Sequence, residues 1–227
     1  MIESLKIFYT TIGRKLLMAL TGLFLVTFLV EHLYGNLLLY KLDGGKEFNE
    51  YSEFMAGNII IRTIEYVLFA AILLHSIDGL LITLANRKAR PVSYEMNRQT
   101  RNSTWFSRNM GITGAVILFF LIVHLKQFFV EFRWGHIEET AAQNVAKAFQ
   151  IPWYSSFYVF AMVLLGMHLN HGFQSAFQTL GLNNKKYKIT LKYIGTFIAL
   201  LFMIGFASFP IILYFDLFGV ASNILGQ

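Results

Sequence analysis

Five long apolar stretches constrain this chain more than any other feature. They run over about residues 16–40, 60–86, 109–132, 153–180 and 191–215 of a 227-residue sequence. Each reaches the ~20 mostly apolar residues that a helix needs to cross the hydrocarbon core of a bilayer. In that medium every backbone N–H and C=O must be bonded within its own segment, which predicts helices. The expected fold is all-α: an integral membrane bundle of five transmembrane helices, formed as one unit over residues 1–227. Charged residues make up 14% of the chain, against roughly 25% in a soluble domain. The first stretch, from Leu16 to Tyr40, is too long for the apolar core of a cleaved signal and lacks a small-residue cleavage pattern. It is therefore expected to be retained as a span.

The formal charge of +6 is explained by where the basic residues sit. Lys6, Arg14 and Lys15 precede the first span. Arg87, Lys88, Arg90, Arg98, Arg101 and Arg108 lie in or beside the second connection. Lys185, Lys186, Lys188 and Lys192 flank the fourth. These are 13 of the 19 basic residues, all on one face of a five-span topology. The positive-inside rule makes that face cytoplasmic, which puts the N-terminus inside and the C-terminus outside. The charge is thus spent on topology. No separate basic domain argues for nucleic acid, and the basic face suits an acidic protein partner. The connections at 41–59 and 133–152 are mixed or acidic.

There are no cysteines, so disulfides, thiolate metal sites and covalent haem attachment are excluded. Any metal falls to His, Met or carboxylate. Five of the six histidines lie within the spans: His32, His75, His124, His168 and His171. One such histidine alone is as well explained by a helix–helix hydrogen bond. A histidine in each of four spans points to function, because ionisable groups at membrane depth are costly.

The spacing sharpens that reading. Span 2 reads His75-Ser-Ile-Asp-Gly79 and span 4 reads His168-Leu-Asn-His-Gly172. Positions i and i+4 share a helix face, so Gly79 and Gly172 each leave a flat space beside an imidazole, wide enough for a porphyrin. Spans 1 and 3 share a second pattern. Thr21-Gly22 precedes His32 as Thr113-Gly114 precedes His124, each threonine eleven residues before its histidine. Eleven residues are about three turns, ~16 Å along one face. Two matching pairs suggest two bis-histidine haems, His32 with His124 and His75 with His168. His171 is read as a polar neighbour of the second site, near a propionate or behind a ligand.

Other side chains are weighed against plainer roles. Arg14, Lys15, Arg108 and Lys192 stand at cytoplasmic helix ends, where they anchor helices and can also meet a haem propionate. Glu31 adjoins His32, Glu65 opens span 2 and Asp78 follows His75 by three residues; these are candidates for bonding a ligand imidazole, binding a quinone hydroxyl or relaying protons. Trp105, Trp134 and Trp153 fall where an interfacial belt is expected. Met162 and Met167 are assigned to packing.

With these motifs in order, the chain resembles the cytochrome b membrane-anchor subunit of succinate:quinone oxidoreductases, in the form with one large anchor and two haems b. The segments that carry the resemblance are FLVEHLYGN around His32, LLHSIDGLLITL around His75, ITGAVILFFLIVHLKQF around His124 and MHLNHGFQSAFQTLGL around His168. Together they cover roughly residues 8–215. The resemblance implies an outer haem on His32 and His124 and an inner haem on His75 and His168. It also implies a flavoprotein subunit and an iron–sulfur subunit docked on the cytoplasmic face of a bacterial inner membrane, and a quinone, by analogy menaquinone, as electron partner. Some two-haem relatives carry a glutamate two residues before the fourth histidine for proton movement, a position held here by Gly166. The chain has no dinucleotide fingerprint, so succinate chemistry is expected in a partner. The rival readings are a cytochrome b subunit of another quinone-linked dehydrogenase and a proton-coupled transporter with histidine relays. The latter predicts broken helices near mid-membrane, whereas Pro210 is the only proline deep in a span.

Overall fold

The structure, a computed structural model, describes residues 10–88, 109–135, 139–182, 184 and 186–227. Helix α1 spans Thr11–Leu37 and runs on through a 3₁₀ turn to Tyr40. Its first turn is capped by the Thr10 hydroxyl, which accepts from the Gly13 N–H at 3.0 Å. Helix α2 covers Lys46–Gly57, and α3 covers Ile59–Lys88. Helix α4 (Met110–His124) continues through a π-helical stretch, Leu125–Val130, into α5 (Glu131–Trp134). Helix α6 is Ala141–Phe149, α7 Pro152–Thr179, α8 Lys188–Tyr214 and α9 Val220–Leu225. The described residues form helices and turns without strands, so the chain is an all-α membrane bundle.

Four stretches are long and apolar enough to cross a membrane: Ile12–Tyr40, Ile59–Lys88, Met110–Trp134 and Lys188–Tyr214. The fifth is α7, which reaches that standard only together with α6, across a bend of 95°. The reason is its polar content. Ser155, Ser156, His168, Asn170, His171 and Gln174 lie along α7. Apart from the exposed Ser156, that polarity is wholly or partly sheltered, because α7 packs against α1, α4 and α8 at the centre of the molecule. Asn170 accepts from Thr196 of α8 at 3.2 Å and from Gln174 at 2.8 Å.

Helices α1, α3, α4 and α7 form a four-membered ring in which α1 packs on α3, α3 on α4, α4 on α7 and α7 on α1. Helix α8 lies outside the ring against α7 and α1. Glycines set the close approaches. A Cβ on Gly205 would stand 3.0 Å from Leu33, one on Gly195 2.8 Å from Phe173, and one on Gly166 2.8 Å from Met203 Cβ.

The connections expected over 41–59 and 133–152 turn out to be helical in part. Helices α2, α6 and α9 close one end of the bundle over a core of Leu39, Ala142, Phe149, Leu213 and Ile224. Helix α6 opens on a capping box between Thr140 and Gln143. The backbone turns of this cap are tied by side chains. Asp43 accepts from the N–H groups of Gly45, Lys46 and Glu47 at 2.9–3.1 Å. Asp216 accepts from Ala221 at 2.7 Å and Ser222 at 3.0 Å. Arg133 bridges Glu65 at 2.9 Å and the Ala56 carbonyl at 3.1 Å. The basic loop over 89–108 lies outside the described residues.

Candidate functional site

The ring of four helices has two diagonals, one joining α1 to α4 and the other joining α3 to α7. A pair of histidines meets on each. His32 of α1 faces His124 of α4 with ring centroids 5.7 Å apart and planes at 89°. His75 of α3 faces His168 of α7 at 6.2 Å and 70°. By residue count, the His32 pair lies about 12–15 Å from the capped end and the His75 pair about 24 Å from it. The two pairs therefore occupy different levels, roughly 10 Å apart along the bundle axis.

The surroundings of the two pairs differ. Phe28 stacks on His32 at 5.3 Å and Phe206 lies at 5.6 Å. Phe120 stacks on His124 at 5.7 Å, with Phe128 at 5.3 Å. This site is an aromatic box in which Phe120 and Phe206 are buried and the two histidines are partly buried. The His75 pair is lined instead by small residues. A Cβ on Gly22 would sit 3.2 Å from His75 Cε1, and one on Gly114 3.6 Å from His168 Cε1. Thr21 and Gly22 of α1 thus both meet the histidine of α3, whereas on α4 it is Gly114 that flanks the histidine of α7.

Hydroxyl groups meet the Nδ1 atoms of two of the rings. Thr21 donates its hydroxyl proton to the Leu17 carbonyl at 2.7 Å, and its oxygen lies 3.2 Å from His75 Nδ1. With its proton committed, Thr21 can only accept, which leaves His75 Nε2 as the nitrogen with a free lone pair. On the other diagonal, His124 Nδ1 lies 3.2 Å from the Tyr158 hydroxyl, which is 2.9 Å from that of Tyr154. His168 Nδ1 is buried without a hydrogen-bond partner among the described residues, as is Asp78 Oδ2.

A porphyrin iron fits this donor set. A metal-ligating imidazole nitrogen stands about 2 Å from its metal, so two rings on opposite sides of one ion have centroids about 6 Å apart, as both pairs do. The described residues hold no group of three or more His, Cys, Asp or Glu suited to a metal ion. Two-ligand sites of this kind need a cofactor that supplies the remaining donors itself.

The other candidates fall as follows. No described atom lies within 4 Å of a Cβ on Gly172, so the space beside it is open, while one on Gly79 meets Met18 at 3.4 Å. Thr113 is buried, and its hydroxyl bonds back to Met110 at 3.1 Å. Arg14 lies in the first turns of α1, and its charge reaches Asp78. Arg108 lies outside the described residues. His171 is half-buried and meets no ring of another helix among the described residues. Glu31 accepts from Tyr51 of the cap, and Glu65 is held by Arg133. Tyr154, Tyr158 and the π-helical stretch after His124 were not legible as site features. A tyrosine one turn from another in an aromatic-rich span carries no distinguishing signal.

A polytopic all-α membrane protein with histidines paired across its bundle is thereby defined. The chain belongs to the family of succinate dehydrogenase/fumarate reductase transmembrane subunits, whose family model matches residues 83–205, from the end of α3 to within α8. No curated protein and no solved structure gives a significant match. The chain is accordingly a membrane-anchor subunit of such a complex.

Proposed function

We propose that this subunit is the two-haem type of anchor, passing electrons between the iron–sulfur subunit and a membrane quinone, with menaquinone as the expected quinone. The observation that carries the reading is the pair of cross-bundle histidine contacts, His32–His124 and His75–His168. Haem b would supply reversible one-electron exchange. His32 and His124 would hold one haem, and His75 and His168 the other. With two histidines holding it, such a haem would have no site left for oxygen and would serve electron transfer. Phe28, Phe120, Phe128 and Phe206 pack around the first pair, and Thr21 orients His75. Gly172 would leave room for a ring edge, Gly79 would do so only with a shift of Met18, and Thr113, next to the Gly114 that flanks His168, would belong to the second site. Arg14, at the end away from the cap, would balance propionate charge, Arg108 is proposed for the same role from the sequence, and His171 would be a nearby polar group. The flavoprotein and iron–sulfur subunits would dock on the basic face, on the cytoplasmic side of a bacterial inner membrane. Two carriers at different depths break a crossing of ~30 Å into shorter steps.

Reduced-minus-oxidised spectra and haem quantification of the purified chain test this. Two b-type haems per chain are expected. A single haem, or no b-type signal, refutes the reading. His168→Ala should remove one haem and His171→Ala neither; the reverse result reassigns the ligand.

A further inference from the structure

Tyr158 belongs to the machinery of the His32–His124 site, although no motif marks it. It lies on α7, the helix between α4 and α1 in the ring, and only 5% of its surface is exposed. Its hydroxyl meets His124 Nδ1 at 3.2 Å and the buried Tyr154 hydroxyl at 2.9 Å. Iron on Nε2 requires the proton on Nδ1, so His124 donates to Tyr158 and Tyr158 donates onward to Tyr154. An acceptor on the outer nitrogen makes a ligand imidazole a stronger donor to its metal and fixes its orientation. Stronger donation favours oxidised iron and lowers the reduction potential. We propose that Tyr158, backed by Tyr154, is a positioning residue that sets the ring orientation of His124 and lowers the reduction potential of the haem on the aromatic-boxed diagonal. Thr21 plays the corresponding part for His75, so each diagonal has one ligand tuned by a hydroxyl, aliphatic in one and phenolic in the other.

The inference rests on the two-haem reading, and redox titration of the purified subunit with optical and paramagnetic-resonance detection separates the two. Tyr158→Phe removes the acceptor and keeps the ring. It should retain both haems, raise the midpoint potential of one, shift that haem's low-spin resonance and leave the other unchanged. Tyr154→Phe should move the same haem in the same direction by a smaller amount. Unchanged potentials and resonances in both variants overturn the proposal, as does an equal shift of both haems, which marks a general structural effect. If Tyr158→Phe loses a haem, Tyr154→Phe decides: a shift confined to one haem supports the relay, and no shift refutes it. A wild-type chain without two haems overturns the underlying reading instead, before either variant is compared.

Discussion

Thr21 and His75 are joined across α1 and α3 by a 3.2 Å contact in which the threonine can only accept, because its proton is held by Leu17 at 2.7 Å. Removing that acceptor should loosen one ring without emptying the site. Thr21→Val is expected to keep two haems and to shift the potential and resonance of the haem that Tyr158→Phe leaves alone. Thr21→Ser, which restores the oxygen, should return both to wild-type values.

The diagonals predict a pattern of loss. His32→Ala, His124→Ala and the double variant should each leave one haem, the same one, because either ligand's removal breaks the same site. His75→Ala and His168→Ala should leave the other. Such coupling is the non-additivity expected of groups acting as a unit. Optical spectra of the four single variants and two doubles check it, and four distinguishable products would refute the pairing.

Gly172 gives a sharper test of the open space in the bundle. Nothing lies within 4 Å of a Cβ placed there, so Gly172→Val should fold and melt like the wild type in the absence of haem. If a porphyrin edge occupies that space, the variant should lose one haem equivalent. Haem content measured beside a thermal melt distinguishes occlusion from misfolding.

Gly166 holds the position where some relatives carry a glutamate. Here a Cβ would stand 2.8 Å from Met203 Cβ and 3.2 Å from its sulfur, so the α7–α8 contact depends on the missing side chain. Gly166→Ala should destabilise by about 1–3 kcal/mol through overpacking, and Met203→Ala in the same chain should recover part of the loss. Gly166→Glu should be worse, since it adds a buried charge. Detergent-solubilised melting temperatures give the measurement.

The cap has its own pH dependence. The N–H groups of Glu47, Gly45 and Lys46 hold the Asp43 carboxyl below the usual range, and those of Ser222 and Ala221 do so for Asp216. A depressed folded-state pKa contributes stability that is fully present above the unfolded value, about 3.9, and is lost as pH falls through the lower folded value. Amides at 45–47 and 221–222 should therefore stay protected from hydrogen exchange at pH 5 and lose protection below pH ~4. Asp43→Ala and Asp216→Ala should lose it at every pH, each only in its own turn.

Much of this architecture could be read from the chain because membrane crossing imposes length and apolarity at once. The span expected at 60–86 is α3, Ile59–Lys88, and that expected at 191–215 is α8, Lys188–Tyr214. The histidines were legible because a polar group at depth has few innocent explanations. The cap was not, since the short helix Lys46–Gly57 owes its place to Leu39, Phe48 and α6 rather than to a periodic signal of its own. The Thr140–Gln143 capping box was the one local cue to α6. Tyr158 was hidden for another reason. What distinguishes it from the other tyrosines is the helix it faces, and sequence spacing within one helix says nothing of that.

Each histidine pair draws one member from the first two helices of the ring and one from the last two. For biogenesis this fixes an order. A nascent chain that has inserted only α1 and α3 holds half of each histidine pair and completes neither. Emergence of α4 completes the pair nearer the capped end, and α7 completes the second. On the proposed two-haem reading, cofactor capture would be a checkpoint on insertion, registering whether the later helices have arrived and docked against the correct neighbours.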